Sequence, residues 1–159
     1  MPAPAEVWLA HYQQLAAAQP SHCPPAQIPT PPQGMPSRAF GFPALAATTH
    51  AEPGIIYSRD FLVEHLLVLS RGADGCIQAA TSGRLLPFNS RAVASPFANQ
   101  RVPAALGDAP PVAIVSDAKS IRPWVRYQPE SELRASAALH WTLLGGHAGV
   151  LAVLLIIGL

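Results

Sequence analysis

The sequence predicts a mainly β protein: a small sandwich or jelly-roll-like segment with one C-terminal transmembrane α-helix and an irregular proline-rich N-terminal arm. Three observations lead to this fold class. Short β-rich runs separated by turn residues recur through 54–127. Eleven of the 18 prolines lie before residue 54. No Asp, Glu, Lys or Arg occurs from Ala135 to Leu159.

Composition bounds the functional classes before any motif is considered. A chain of 159 residues has room for about one compact domain. Charged residues make up 12%, about half the usual soluble share, and the net charge is +1. Such a charge argues against a strongly basic surface, so no nucleic-acid partner is expected. A hydrophobic share of 50% excludes a wholly disordered chain.

The N-terminal segment 1–53 is predicted to be an extended arm. Trp8, Tyr12 and Leu15 share a face at helical spacing, so residues 5–18 are expected to form a short amphipathic helix. From Pro20 to Pro43 the prolines remove backbone donors and disfavour helix at each preceding residue. The start of the chain lacks the basic residues and apolar run of a secretory signal, so no signal peptide is predicted.

The middle segment 54–134 is predicted to hold the β domain. Leu66–Leu69 is continuously apolar, which is typical of a strand buried on both faces. Turns are expected at 72–75, 82–83 and 108–111. The β-rich part, residues 54–127, has about 74 residues, which are few for a complete sandwich, so a strand from upstream could complete it. The predicted strands are Ile55–Phe61, His65–Ser70, Cys76–Thr81, Val112–Ser116 and Trp124–Tyr127.

The segment 135–159 is predicted to cross a lipid bilayer as a helix. As a helix it would be about 37 Å long, which exceeds the thickness of a bilayer core. The alternative, a buried helix of a soluble core, is disfavoured because the chain is too small to enclose a helix that is apolar on every face. Arg134, His140 and Trp141 would lie at the membrane interface.

A small-residue pattern in this segment predicts close helix packing. Small residues four apart allow a second helix to approach, either a neighbouring membrane helix or that of a homodimer. The alternative is that glycine and alanine are simply common in transmembrane helices. The chain stops within the apolar run, which fits a tail anchor without a hydrophilic tail or, preferably, a fragment. The predicted helix-packing residues are Gly145, Ala148, Gly149 and Ala152.

The sequence predicts no catalytic, cofactor-binding or metal-binding residue. There is no nucleophile elbow, dinucleotide-binding loop, P-loop or zincin motif. Cys23 and Cys76 either form a disulfide in an oxidising compartment or stay ordinary thiols. His140 and His147 lie seven apart, but a haem would need a partner helix, so an interfacial position is preferred.

The order of features from Leu66 to the end carries a family resemblance. The strands LLVLS and GADGCIQAA, the turn TSGR, the segment LLPFNSRAVASPF, the strand PPVAIVSD and then RPWVRYQPESELR precede the apolar run. Over about 95 residues this resembles the sensory input region of bacterial receptors of the 7TMR-DISM type. The resemblance implies a periplasmic β-sandwich, a membrane bundle, and a diguanylate cyclase or histidine kinase output domain that this chain does not carry.

The predicted function is therefore a membrane-anchored sensory input region that binds an unknown small-molecule or protein ligand. The expected location is the bacterial inner membrane, with the N-terminal part periplasmic, and the chain itself is not expected to be an enzyme. The alternative is a small tail-anchored assembly protein whose proline-rich arm binds a partner. A linker would transmit the signal to the helix, and its predicted residues are Arg122, Pro123, Trp124, Arg126 and Pro129.

Overall fold

The fold is known from a computed structural model that describes residues 4–46, 53–58, 63–92, 98–103, 107–117, 124–132, 134–135 and 142. These residues form two antiparallel sheets and a few short helices. In chain order the elements are α1 (Ala5–Ala17), β1 (Ser37–Gly41), α2 (Pro43–Ala46), β2 (Gly54–Ser58), β3 (His65–Arg71), β4 (Ile77–Ser82), a 3₁₀ turn (Phe88–Ser90), β5 (Asn99–Val102), β6 (Val112–Ser116) and β7 (Val125–Pro129).

The larger sheet has four strands in the order β1-β6-β3-β4, and the smaller has three in the order β5-β2-β7. Every pair is antiparallel. In the larger sheet, Ile114 of β6 lies between Ala39 of β1 and Leu67 of β3. In the smaller sheet, Ile56 lies between Gln100 and Tyr127. Strand β1, which comes from the proline-rich segment, supplies an edge of the larger sheet.

The larger sheet is covered on both faces, so the described part of the chain has three layers. Alternate residues of a strand point to opposite faces, and β3 shows this division clearly. Leu67 and Leu69 join the core on the face that α1 and residues 18–36 cover, called here the strap-side core. It also contains Ala5, Tyr12, Ala39, Ile77, Val112 and Ile114. Leu66 and Val68 join the inter-sheet core with Ile56, Val63, Ala98, Val102, Ala113 and Val115. The continuous apolar runs of β3 and β6 follow from this double burial.

Helix α1 covers one face of the larger sheet. Pro4 immediately precedes it, where a missing N–H has no cost, and Glu6 in the first turn suits the positive end of the helix dipole. Alanine favours the helical interior, and Pro20 disfavours helix at the residue before it. Tyr12 is fully buried, and its hydroxyl donates to the Pro110 carbonyl at 2.7 Å. This hydrogen bond joins the helix to the segment that leads into β6.

The transmembrane helix of the predicted fold class is not found, and the prediction of an inner-membrane anchor is wrong. Within the described ranges no helix is long and apolar enough to cross a membrane. The longest, α1, has 13 residues. Hydropathy records how favourably a segment leaves water, and it does not establish a continuous helix of about 20 residues. Outside the described residues lie His140, Trp141, Gly145, Ala148, Gly149 and Ala152.

The structure contains two strands that were not predicted, and it has a different number of layers from the predicted sandwich. Strand β1 lies in the segment assigned to the irregular arm, where it supplies the upstream strand that the short middle segment was expected to need, and β5 lies where no strand was predicted. Neither SRAFG nor NQRV alternates clearly between apolar and polar residues, so only pairing with β6 and β2 defines them as strands. The expected two-layer sandwich is replaced by three layers, because β3 and β6 are apolar on both faces.

Candidate functional site

The segment between α1 and β1, residues 18–36, lies on the same face of the larger sheet as α1, and we call it the strap. Ala26 and Ile28 pack against the strap-side core. At its end, the Asp117 amide donates to the Pro36 carbonyl at 3.3 Å. The strap contains no helix or strand, so side-chain contacts and a few hydrogen bonds hold it on the sheet.

A disulfide between Cys23 and Cys76 ties the strap to the start of β4. The two Cα atoms are 5.4 Å apart, within the usual range for a disulfide. Cys76 is buried, whereas Cys23 is half-buried on the strap. The sequence left this pairing open because a disulfide forms only in an oxidising compartment; the two cysteines are 53 residues apart. Folding brings them together by placing the strap over the β3–β4 turn.

Local hydrogen bonds in the predicted turn at 72–75 fix the position of Cys76. The Cys76 amide donates to Asp74 Oδ1 at 3.0 Å, and the Gly72 amide donates to the Cys76 carbonyl at 2.9 Å. Gly75 has a φ of +80°, a conformation that a residue with a side chain adopts only with strain. Cys76 is therefore held on a tight turn, whereas its partner Cys23 lies on an irregular segment.

His22 completes a cluster of donor atoms at the disulfide. Its imidazole and the two sulfur atoms all lie within 4.8 Å of one another. Imidazole and thiolate together form a common donor set for zinc and copper. Sequence reasoning predicted no metal site, because no short spacing joins position 76 to the other two. The adjacent His22 and Cys23 were the only local signal.

A groove of about 520 Å³ runs between the C-terminal half of α1 and the strap. Gln19 holds one wall in place: its side-chain amide donates to the Pro24 carbonyl at 2.9 Å and accepts from the Ile77 amide at 3.3 Å. The groove is close in sequence to the disulfide, since Gln19 and Pro25 lie on either side of Cys23. Its lining residues are Gln13, Ala16, Ala17, Gln19, Pro25, Ala26 and Ile28.

A polar row crosses the larger sheet at the end where β1 and β3 begin. Ser37, Ser116 and His65 are cross-strand neighbours, and the two serine Oγ atoms are 2.8 Å apart. His65 Nδ1 is buried and has no hydrogen-bond partner among the described residues. Burial lowers the pKa of His65 below its ordinary value. The row places the imidazole inside the domain, and no described hydrogen bond joins its Nδ1 to either serine.

The predicted linker residues that the structure describes belong to strand β7 or border it. Trp124 is 60% exposed, and the Arg126 guanidinium lies 5.3 Å from the centre of its ring. Pro129 pairs with Gly54 at the end of the smaller sheet. Arg122 and Pro123 lie outside the described residues. The described part of the linker is thus an edge strand of the smaller sheet.

Arg134, which was predicted to lie at a membrane interface, takes part in an ion-pair network. Glu130 Oε1 accepts from Arg134 at 2.8 Å and from Arg101 at 3.1 Å. The hydrogen bond from Arg134 lowers the pKa of the Glu130 carboxyl, and the charge of Arg101 acts in the same direction. The network joins β5 to the residues that follow β7.

Comparison with known proteins finds no family model, no curated protein and no solved structure that matches this chain. The resemblance to sensory input regions of the 7TMR-DISM type therefore stays a prediction from the sequence.

Proposed function

We propose that this chain is the sensory input module of a signal-transduction protein and that it recognises a small neutral ligand in the groove between α1 and the strap. The main support is the groove itself, whose volume of about 520 Å³ falls in the range of small-molecule sites. Its walls come from the end of α1 and from the strap that follows it, so a ligand there would contact both.

The lining of the groove defines the chemistry of the ligand. None of the lining residues carries a charge, so an ionic ligand would lose its hydration without gaining an ion pair. Gln13 is exposed and offers both an amide donor and an amide acceptor. Alanine, proline and isoleucine side chains supply the remaining walls. A neutral molecule with one hydrogen-bonding edge and one apolar face fits this lining.

A sensor also needs an element whose position depends on the ligand. A ligand shifts an equilibrium only when it binds two states with different affinities. The strap is the natural candidate for that element, because it has no strand ladder and forms one wall of the groove. Its end continues directly into β1, an edge strand of the larger sheet. A movement of the strap would therefore reach the sheet through β1.

The test is a binding screen on the full chain with a panel of neutral amino acids, monosaccharides and nucleosides. Amide chemical shifts of ¹⁵N-labelled protein report where each compound binds. We expect at least one compound to shift the amides of Ala16, Ala17 and Ile28. Ala17→Trp, at an exposed position in the groove, should then weaken binding by about 10-fold or more, equivalent to about 1.4 kcal/mol.

The matched control is Ala10→Trp, which places the same side chain at an exposed position of α1 that does not line the groove. The Ala10→Trp variant should bind the compound found in the screen with the same affinity as the unmodified chain. Equal loss in both variants, or binding that shifts only amides distant from the groove, would contradict the assignment of the groove.

A further inference from the structure

We propose that His22, Cys23 and Cys76 bind one Zn²⁺ ion when the disulfide between the two cysteines is reduced. This site is separate from the ligand groove, and it does not depend on the function proposed for the groove. The starting observation is geometric: the imidazole nitrogen and the two sulfur atoms lie within 4.8 Å of one another. These three donor atoms need to move only a short distance to bind one metal ion together.

The donor set fits zinc. Two thiolates and one imidazole are typical Zn²⁺ ligands, and a three-residue set leaves the fourth tetrahedral position to water. Tetrahedral Zn²⁺ with bonds of about 2.3 Å to sulfur requires the two sulfur atoms to be about 3.8 Å apart. They must separate by only an ångström or two after the bond is broken. Cys23 can move that far because it lies on the strap, outside any helix or strand.

The cluster is expected to stay assembled after reduction, because other contacts hold the strap near the β3–β4 turn. The Ile77 amide donates to the Gln19 side chain at 3.3 Å. Pro20 lies against Gly75: a Cβ placed on that glycine would be 3.2 Å from the proline ring. The Cys23 amide donates to the Pro20 carbonyl at 3.0 Å, which fixes the local turn. Both cysteines are thus held independently of the bond between them.

Reduction of the Cys23–Cys76 disulfide requires an external dithiol or phosphine. A dithiol transfers its two hydrogens to the cysteine sulfur atoms and becomes a disulfide itself. A phosphine takes the oxygen of one water molecule and becomes a phosphine oxide, while the two hydrogens of that water end on the cysteine sulfur atoms. Zn²⁺ then displaces the proton of each thiol that is not already ionised, so binding releases up to two protons from the cysteines. The two thiolate charges neutralise the charge of the metal. His22 contributes its imidazole nitrogen as the third protein ligand.

The experiment uses the full chain, reduced with a phosphine that is then removed under anaerobic conditions. Zn²⁺ is titrated against a chromophoric chelator, and Co²⁺ is used in parallel as a spectroscopic probe. We expect one Zn²⁺ per reduced chain, a thiolate-to-Co²⁺ charge-transfer band, and no binding to the oxidised chain. His22→Ala should weaken Zn²⁺ binding by at least about 10-fold and change the Co²⁺ spectrum.

His11→Ala is the matched control, because His11 is also exposed and lies on α1 outside the cluster. It should bind Zn²⁺ like the unmodified chain. Three results would overturn the proposal: no stoichiometric binding to the reduced chain, equal binding to the oxidised chain, or an unchanged affinity in His22→Ala. Circular dichroism of each reduced sample shows whether the fold persists. A chain that unfolds on reduction would also refute the proposal, since the cluster requires the strap to stay docked.

Discussion

The two faces of the larger sheet are covered in different ways. The smaller sheet covers one face with three strands whose backbones are bonded to one another in ladders. Helix α1 and the strap cover the other face, and the strap has no ladder. The strap is attached instead by single contacts: the Cys23–Cys76 disulfide, the hydrogen bond from the Ile77 amide to Gln19 and the one from the Asp117 amide to Pro36. A cover without regular structure depends on specific side chains, so its stability can be removed one contact at a time.

The sharpest comparison uses two adjacent leucines of β3. Leu66 faces the inter-sheet core and Leu67 the strap-side core, and both are fully buried. Leu→Ala substitutions in cores cost about 3–5 kcal/mol, with the larger losses where the surroundings cannot collapse into the cavity. We expect Leu66→Ala to lie near the upper end and Leu67→Ala near the lower, because the strap can relax. Urea unfolding measures the loss in free energy of unfolding for both variants. A larger loss for Leu67→Ala than for Leu66→Ala would contradict the expectation that the strap side relaxes more easily.

The disulfide should contribute the next largest effect. It closes a segment with a sequence separation of 53 residues, for which the chain-entropy relation gives about 4 kcal/mol. The double variant Cys23→Ser with Cys76→Ser should lose about that free energy of unfolding. Limited proteolysis should then cut the strap first. Cleavage in the smaller sheet before the strap would show that the disulfide does not hold this layer in particular.

Tyr12 tests the hydrogen bond that joins α1 to the segment leading into β6. Burial raises the pKa of its phenol, and the hydroxyl donates to the Pro110 carbonyl at 2.7 Å. Tyr12→Phe keeps the ring but removes the donor, so we expect a loss of about 1–2 kcal/mol. Thermal unfolding of Tyr12→Phe and of the unmodified chain measures this loss of stability. No change in stability would mean that water replaces the hydroxyl and that ring packing alone holds the helix.

His65, on the strap-side face of β3, should make the free energy of unfolding depend on pH. Burial lowers the pKa of its imidazole below 6.5, so the unfolded chain takes up a proton at a higher pH than the folded chain. Stability should fall as the pH drops below about 6.5 and level off below the folded pKa, with a slope of at most about 1.4 kcal/mol per pH unit. His65→Gln should flatten this dependence. His11→Gln, at an exposed histidine, should retain it, and equal slopes in both variants would exclude His65 as the cause.

The sequence predicted those helices, strands and turns whose conformation depends mainly on neighbouring residues. The helical spacing of Trp8, Tyr12 and Leu15 predicted a helix over 5–18, and α1 spans Ala5–Ala17. Each of the five predicted strands overlaps an observed strand. The turn at 72–75 combines Gly75, which permits positive φ, with Asp74, whose side chain accepts from the backbone. These elements were predictable because turn chemistry and apolar runs are local properties.

The candidate sites were not predictable in the same way. Strands β1 and β5 become strands only through partners that are distant in sequence. The His22–Cys23–Cys76 cluster and the Ser37–Ser116–His65 row each join segments that are far apart in the chain. The groove lies within residues 13–28, but its shape depends on the position of the strap beside α1. The membrane helix was predicted from hydropathy alone, and that prediction failed because no described helix meets the requirement.

By itself the sequence determined the mainly β character, the first helix and the position of the turns, because backbone propensity and apolar patterning act over neighbouring residues. Tertiary structure decided that β3 and β6 are covered on both faces and that the strap forms one of those covers. It also decided which side chains meet there. The physical reason is that burial on two faces, disulfide pairing and donor-atom geometry depend on distances in space, which spacing along the chain does not specify.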